Sequence, residues 1–320
     1  ILGGGGNIGY GLTQYETTVL SRSAYSCGNN TIGELGHGNI NDCNFPTLID
    51  ALADSNIVAI SMYGLFSLFL DNLGRVYSCG NYNYGILGRT VENNNNTIPV
   101  QITENIGTSN IVAISAGVSH SLFLDEYRRV YSCGYSAYGQ LGHGITTHYY
   151  FPTLIDALAD SNIVAISAGG EHSLFLNEYG RVYSCGDNDY GQLGRTVANN
   201  NNTIPLQITE NIGTSNIVVI SAGGEHSLFL DDLGRVYSCG DNNKGQLGHE
   251  NTNSNFPTLI DALADSNIVA ISAGQYHSLF LDEYGKVYSC GDNDKGQLGR
   301  TVANNNKIPV QITENIGTSN

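Results

Sequence analysis

Four histidines hold one position in a repeating sequence: His120, His172, His226 and His277, each followed by Ser-Leu-Phe-Leu. Glu171 and Glu225 precede two of them. A ring of imidazoles around a channel would bind a metal ion or titrate near neutral pH. The competing reading is that each ring ties together the turn of its own unit, because buried polar groups are satisfied by hydrogen bonds. The second reading is preferred, since Phe66 takes the histidine's place in the second unit and leaves any ring incomplete.

Cysteines offer a second chemistry. Six of the seven sit inside Tyr-Ser-Cys-Gly, at Cys27, Cys79, Cys133, Cys185, Cys239 and Cys290, and Cys43 stands apart. Equivalent positions of a repeat lie farther apart than the ~4.4–6.8 Å between Cα atoms that a disulfide tolerates. No CxxC or Cys/His pair has ligand spacing, so reduced thiols are expected and no metal. Six act as small buried hydrophobes, leaving Cys43 as the reactive one. Reduced cysteines fit an intracellular chain.

The Asp-Asn-Asp stretches at Asp187–Asp189 and Asp292–Asp294 open like a calcium loop. They lack the later bidentate Glu that such a loop needs, and Asx side chains capping a turn account for them. There is no nucleophile elbow, no phosphate-binding loop, and no Ser, His and Asp set that departs from the repeat. Neither a catalytic residue nor a cofactor is therefore expected. The symmetry breaks at Met62–Phe66, at His148-Tyr149-Tyr150, at Lys244 and at Lys295. Of these, the loop His148, Tyr149 and Tyr150 is the candidate partner-binding site, its tyrosines serving as exposed anchors. The alternative is that they pack on the neighbouring unit.

These residues are positioned by short strands. Residues 163–167 read as a β-branched inner strand, Ala168-Gly169-Gly170 as a turn, and 172–176 as a second strand. Gly180 supplies the next turn, 181–186 the third strand, and 204–208 an outer strand. All six prolines (Pro46, Pro99, Pro152, Pro205, Pro257, Pro309) hold that outer position, where an edge strand need not donate every ladder bond. The Asn-rich runs before it read as polar loops.

Successive repeat cysteines are 52, 54, 52, 54 and 51 residues apart. A period near fifty with four strands per unit defines an all-β propeller of four-stranded antiparallel blades. The chain of 320 residues reads as one domain, 1–320, of six repeats of about 53 residues. Two outer-strand types alternate, one with Phe-Pro-Thr-Leu-Ile-Asp and one with Ile-Pro-(Val/Leu)-Gln-Ile-Thr, so a two-blade unit has been copied three times. Strict alternation favours six blades, or seven if a segment is missing.

Net charge is −16. Nucleic acid is disfavoured as a partner, because its affinity comes from Lys and Arg neutralising phosphates, and so is an anionic membrane surface. A basic protein surface is compatible. No apolar run reaches the length of a membrane span.

The pattern Ala-Gly-x-x-His-Ser-Leu-Phe-Leu, then Gly-(Arg/Lys)-Val-Tyr-Ser-Cys-Gly-x-Asn-x-x-Gly-Gln-Leu-Gly, resembles the regulator of chromosome condensation repeat. It is clearest at 168–194, 222–248 and 273–299. The resemblance implies a propeller, typically of seven blades, and a spread of functions: nucleotide exchange on a small GTPase, chromatin binding, scaffolding, light sensing and enzyme inhibition by docking. Light sensing of the ultraviolet type needs tryptophans, and this chain has none. The exchange factor uses a protruding wedge for which the near-constant spacings leave no room. The expected function is a non-enzymatic scaffold that binds a protein through one rim. Guanine nucleotide exchange and chromatin association are the alternatives. The ends are expected to close the ring, with 1–4 standing in for the strand missing after 316–320.

Overall fold

The computed structural model describes residues 22–313, apart from 94, 107, 198–201, 251 and 302–305. β-Branched Ile-Val-Ala-Ile-Ser runs and the Ser-Leu-Phe-Leu and Val-Tyr-Ser-Cys runs all become strands, as their composition dictates. Five four-stranded antiparallel sheets result, here called blades A to E. Blade A comprises Ile57–Tyr63, Phe66–Asp71, Val76–Gly80 and Val100–Gln101, and blade B Ile111–Ala116, His120–Asp125, Val130–Gly134 and Tyr149–Leu154. Blade C comprises Ile163–Ala168, His172–Asn177, Val182–Gly186 and Leu206–Gln207. Blade D follows with Ile217–Ala222, His226–Asp231, Val236–Gly240 and Ser254–Leu259, and blade E with Ile268–Ala273, His277–Asp282, Val287–Gly291 and Val310–Gln311.

The six or seven blades expected from the repeats are corrected here: among the described residues there are five blades and one two-stranded sheet, Tyr25–Gly28 paired with Cys43–Leu48. Those two strands are the third and outer strands of the first repeat. Its first half, where Thr17-Thr18-Val19-Leu20 only loosely echoes Ser-Leu-Phe-Leu, lies outside the described residues, as do 1–4 and 314–320 and with them the expected ring closure.

The first strands of successive blades contact one another, and the second strand of each blade packs on the first strand of the next. Apolar clusters therefore form between blades rather than within them. One cluster joins Leu174, Leu176 and Val182 of blade C to Ile217, Ile220, Phe229 and Cys239 of blade D. The pattern repeats between A and B, between B and C and between D and E, and a smaller cluster joins the two-stranded sheet to blade A. A blade cannot bury its faces alone, which is the energetic reason that the repeat propagates.

Outer strands differ between the two repeat types. In A, C and E they shrink to two residues after Pro99, Pro205 and Pro309, shorter than the run expected from sequence. In B and D, and in the two-stranded sheet, they span six residues with the proline inside. There the register skips, for example between Tyr149 and Thr153. An irregular edge tolerates a residue with no N–H.

Candidate functional site

The turn between the first and second strands and the loop after the third strand lie at the same end of each blade, since His172 pairs with Gly186 and His226 with Gly240. This loop end carries the histidines, the Asp-Asn stretches and the His148 loop, and the repeat cysteines stand next to it.

The histidines serve to join blades. His120 Nε2 lies 2.9 Å from Ser173 Oγ, His172 Nε2 2.9 Å from Ser227 Oγ, and His226 Nε2 2.9 Å from Ser278 Oγ. Each serine belongs to the next blade. Each also donates its one proton to a backbone carbonyl, of Gln140, Gln192 and Gln246 respectively, at 2.7–2.8 Å. The imidazole must then donate through Nε2–H. Its Nδ1 is buried and makes no hydrogen bond in His120, His172 or His226. Desolvation holds all three rings neutral, with pKa values lowered to about 3. The expectation that each ring ties only its own turn is corrected: the bond crosses the blade interface. A Cβ on Gly169 would stand 2.5 Å from His172 Cε1 and 2.6 Å from Gly223 O, which explains the glycine of Ala-Gly-x-x-His. The freed backbone forms a belt, with Val118 N donating to Gly169 O, Gly170 N to Gly223 O and Gly224 N to Gly274 O.

The repeat cysteines complete the junction. Ser173 pairs with Cys185 across the second and third strands, and Cys185 Sγ lies 3.6 Å from the same Gln140 carbonyl. Cys79, Cys133, Cys185, Cys239 and Cys290 are fully buried, and desolvation pushes their thiols up, to about 12 for Cys79 and Cys185. Cys27 breaks the expectation. It is exposed, and Cys43 is partly so; all seven thiols are free.

The Asp-Asn-Asp stretches cap turns. Asp187 accepts from Gln192 Nε2 at 2.8 Å and Asn188 from Leu193 N at 2.9 Å, and Asp241 with Asn242, and Asp292 with Asn293, repeat the arrangement. Among the described residues no group of three His, Cys, Asp or Glu side chains is placed to hold a metal ion.

His148, Tyr149 and Tyr150 are not brought together into one patch. His148 stacks on Tyr135 (centroids 4.7 Å apart, 27° between planes) and meets Tyr84 edge-on at 5.0 Å, while its Nδ1 accepts from Ser136 N. Tyr149 turns back onto His143, centroids 4.5 Å apart. Tyr150 lies across Gly85 of blade A with its side chain exposed. The site that His148 joins is larger than the loop: Tyr84 and Tyr135 meet at 5.0 Å and Tyr135 and Tyr138 at 6.5 Å, bridging blades A and B. Tyr82, Tyr84, Tyr138 and Tyr150 are 51, 47, 42 and 60% exposed. Aligning the residues after each Tyr-Ser-Cys-Gly would have found most of this patch, because Tyr84, Tyr138 and Tyr190 hold one repeat position that becomes Lys244 and Lys295 in blades D and E.

Carboxylates flank the tyrosines. Glu171 accepts from Gln140 Nε2, and burial together with Asp187 raises its pKa to about 7. Burial, then Asp241, Asp187 and Asp189, raises Glu225. Glu225 in turn raises Tyr190, and Glu171 contributes to raising Tyr135, so acids and rings share one surface. Among the described residues Glu171, Asp187, Glu225 and Asp241 form no ion pair, whereas Lys244 stands 3.6 Å from both Asp292 and Asp294.

A propeller of this repeat, with a buried histidine lock and an exposed loop rim, is a binding platform in its architecture. The chain belongs to the RCC1-like domain family, whose model matches residues 23–319. It is 32% identical to the rat probable E3 ubiquitin-protein ligase HERC4 over 97% of this chain and 29% of that protein. It is 31% identical to human HERC2 over 90% of this chain and 6% of that one. It is also 32% identical to the Arabidopsis thaliana ultraviolet-B receptor UVR8, over 90% of this chain and 65% of the receptor. The chain thus spans a small part of the HERC ligases that it matches. In fold it is similar to human WBSCR16 (TM-score 0.81, 24% identity, 90% of this chain and 76% of that one). Prp20p from Saccharomyces cerevisiae, described by its binding to Gsp1p and histones, has the same TM-score and identity over 93% of this chain and 76% of its own.

Proposed function

We propose that residues 1–320 form one non-enzymatic interaction domain that binds a partner protein through the loop end of its blades. The observation that carries this reading is the exposed tyrosine patch of blades A and B, mounted on a body whose blades are locked together by buried hydrogen bonds. Exposed aromatic rings on a rigid support supply contact area at low entropic cost. The neutral imidazoles of His120, His172 and His226 and the buried thiols of the five blades have no access to substrate, and that argues against catalysis by the repeat's own residues there. Net charge of −16 argues against nucleic acid, and seven free cysteines support an intracellular setting. Among the described residues no helix is long and apolar enough to cross a membrane.

The test compares proteins retained from a native lysate by the parent chain and by Tyr84→Ala/Tyr138→Ala. Proteins held by the parent and lost by the variant are expected. Equal retention by both would overturn the assignment of the loop end. Acceleration of nucleotide release from small GTPases at catalytic amounts of the chain would overturn the non-enzymatic reading.

A further inference from the structure

The same face also specifies its ligand chemistry, given the reading that the loop end is the docking face. Tyrosine recurs at one repeat position in three successive blades, as Tyr84, Tyr138 and Tyr190. At Tyr84 the backbone adopts φ 59°, a left-handed conformation disfavoured for a bulky residue.

Among the described residues no cation–π pair covers these rings. The molecule's cation–π pairs set Arg75 on Tyr77, Arg129 on Tyr127 and Tyr131, Arg235 on Tyr237 and Lys286 on Tyr284. All of those rings lie near the hairpins between second and third strands, at the opposite end of the blades. Beside the uncovered row stand Glu171 and Glu225, which have no ion-pair partner among the described residues. Their carboxyls are pushed up in pKa by burial and by neighbouring carboxylates. A cation placed there relieves the repulsion and meets aromatic faces in one step.

We propose that a Lys/Arg-rich extended segment of the partner lies across Tyr84, Tyr138 and Tyr190, with its cations set against Glu171 and Glu225. Arginine is preferred over lysine, because a planar guanidinium stacks on a ring while hydrogen-bonding a carboxylate.

The experiment is fluorescence anisotropy with fluorescein-labelled (Arg-Gly)6, (Lys-Gly)6 and (Glu-Gly)6 peptides and the full 320-residue chain. The arginine peptide is expected to bind, the lysine peptide more weakly and the glutamate peptide not at all. Tyr84→Ala/Tyr138→Ala and Glu171→Gln/Glu225→Gln should each weaken arginine-peptide binding about tenfold, the size of two lost cation–π or charge contacts. These side chains are at least partly exposed, and melting curves matching the parent's would confirm intact folding. Arginine-peptide affinity unchanged in both variants, or equal binding of the glutamate peptide, overturns the proposal. If no basic peptide binds while the tyrosine variant still loses proteins from lysate, the basic ligand is rejected and the docking face stands.

Discussion

His172 of blade C donates through Nε2–H to Ser227 of blade D, and Ser227 passes its own proton to the carbonyl of Gln192 back in blade C. One hydroxyl thus joins two blades and fixes the tautomer of a buried imidazole. The same relation holds for His120 with Ser173 and for His226 with Ser278, so three consecutive interfaces share it.

Removing the serine should cost more than removing the histidine. Ser227→Ala strands a buried Nε2–H and leaves the Gln192 carbonyl only the weak Cys239 thiol donor, a loss of about 2–3 kcal/mol. His172→Phe follows a replacement that the chain already makes at Phe66, and it should cost about 1 kcal/mol. Urea unfolding of the two single variants and the double variant would check this. Equal costs, or additivity in the double variant, would show that the bond contributes nothing.

Acid should unfold the domain through the same residues. Each of the three imidazoles has a folded pKa near 3, well below the ~6.5 of an unfolded chain. The native state is therefore neutral where the unfolded state binds protons. The stability is fully present above about pH 6.5 and is lost as pH falls toward 3. The slope approaches about 1.4 kcal/mol per pH unit for each histidine. Melting temperature measured from pH 8 to pH 4 should fall steeply below 6.5. Replacing His172 with Phe should flatten that fall by at most about 1.4 kcal/mol per pH unit, since His143, His249 and His277 are lowered by burial as well, and an unchanged slope would sink this account.

Thiol accessibility separates the first sheet from the blades. A disulfide-exchange reagent should label two equivalents quickly under native conditions, at Cys27 and Cys43. The other five thiols are buried and held in the protonated form, and they should react only as fast as the blades open. Mass spectrometry of labelled peptides gives the readout. Fast labelling at Cys133 or Cys239 would contradict the packing.

The sequence by itself determined the strand order, the turn glycines, the outer prolines and the family. Those features repeat at a period near fifty and depend on local chemistry: β-branched runs extend, glycine alone fits beside the histidine ring, and proline is excluded from inner strands. The number of four-stranded blades among the described residues was not legible, because the first repeat keeps Tyr-Ser-Cys-Gly while the sequence before it has diverged. Nor was the partner of each histidine. A hydrogen bond between residues 53 or 55 apart depends on how one blade leans on the next, and only packing decides that. The tyrosine patch sits between these cases. Tyr84 and Tyr138 stand in the sequence at one repeat position, yet Tyr84, Tyr135 and His148 come from two blades and two loops, so only the tertiary structure stacks them into a single surface beside Glu171.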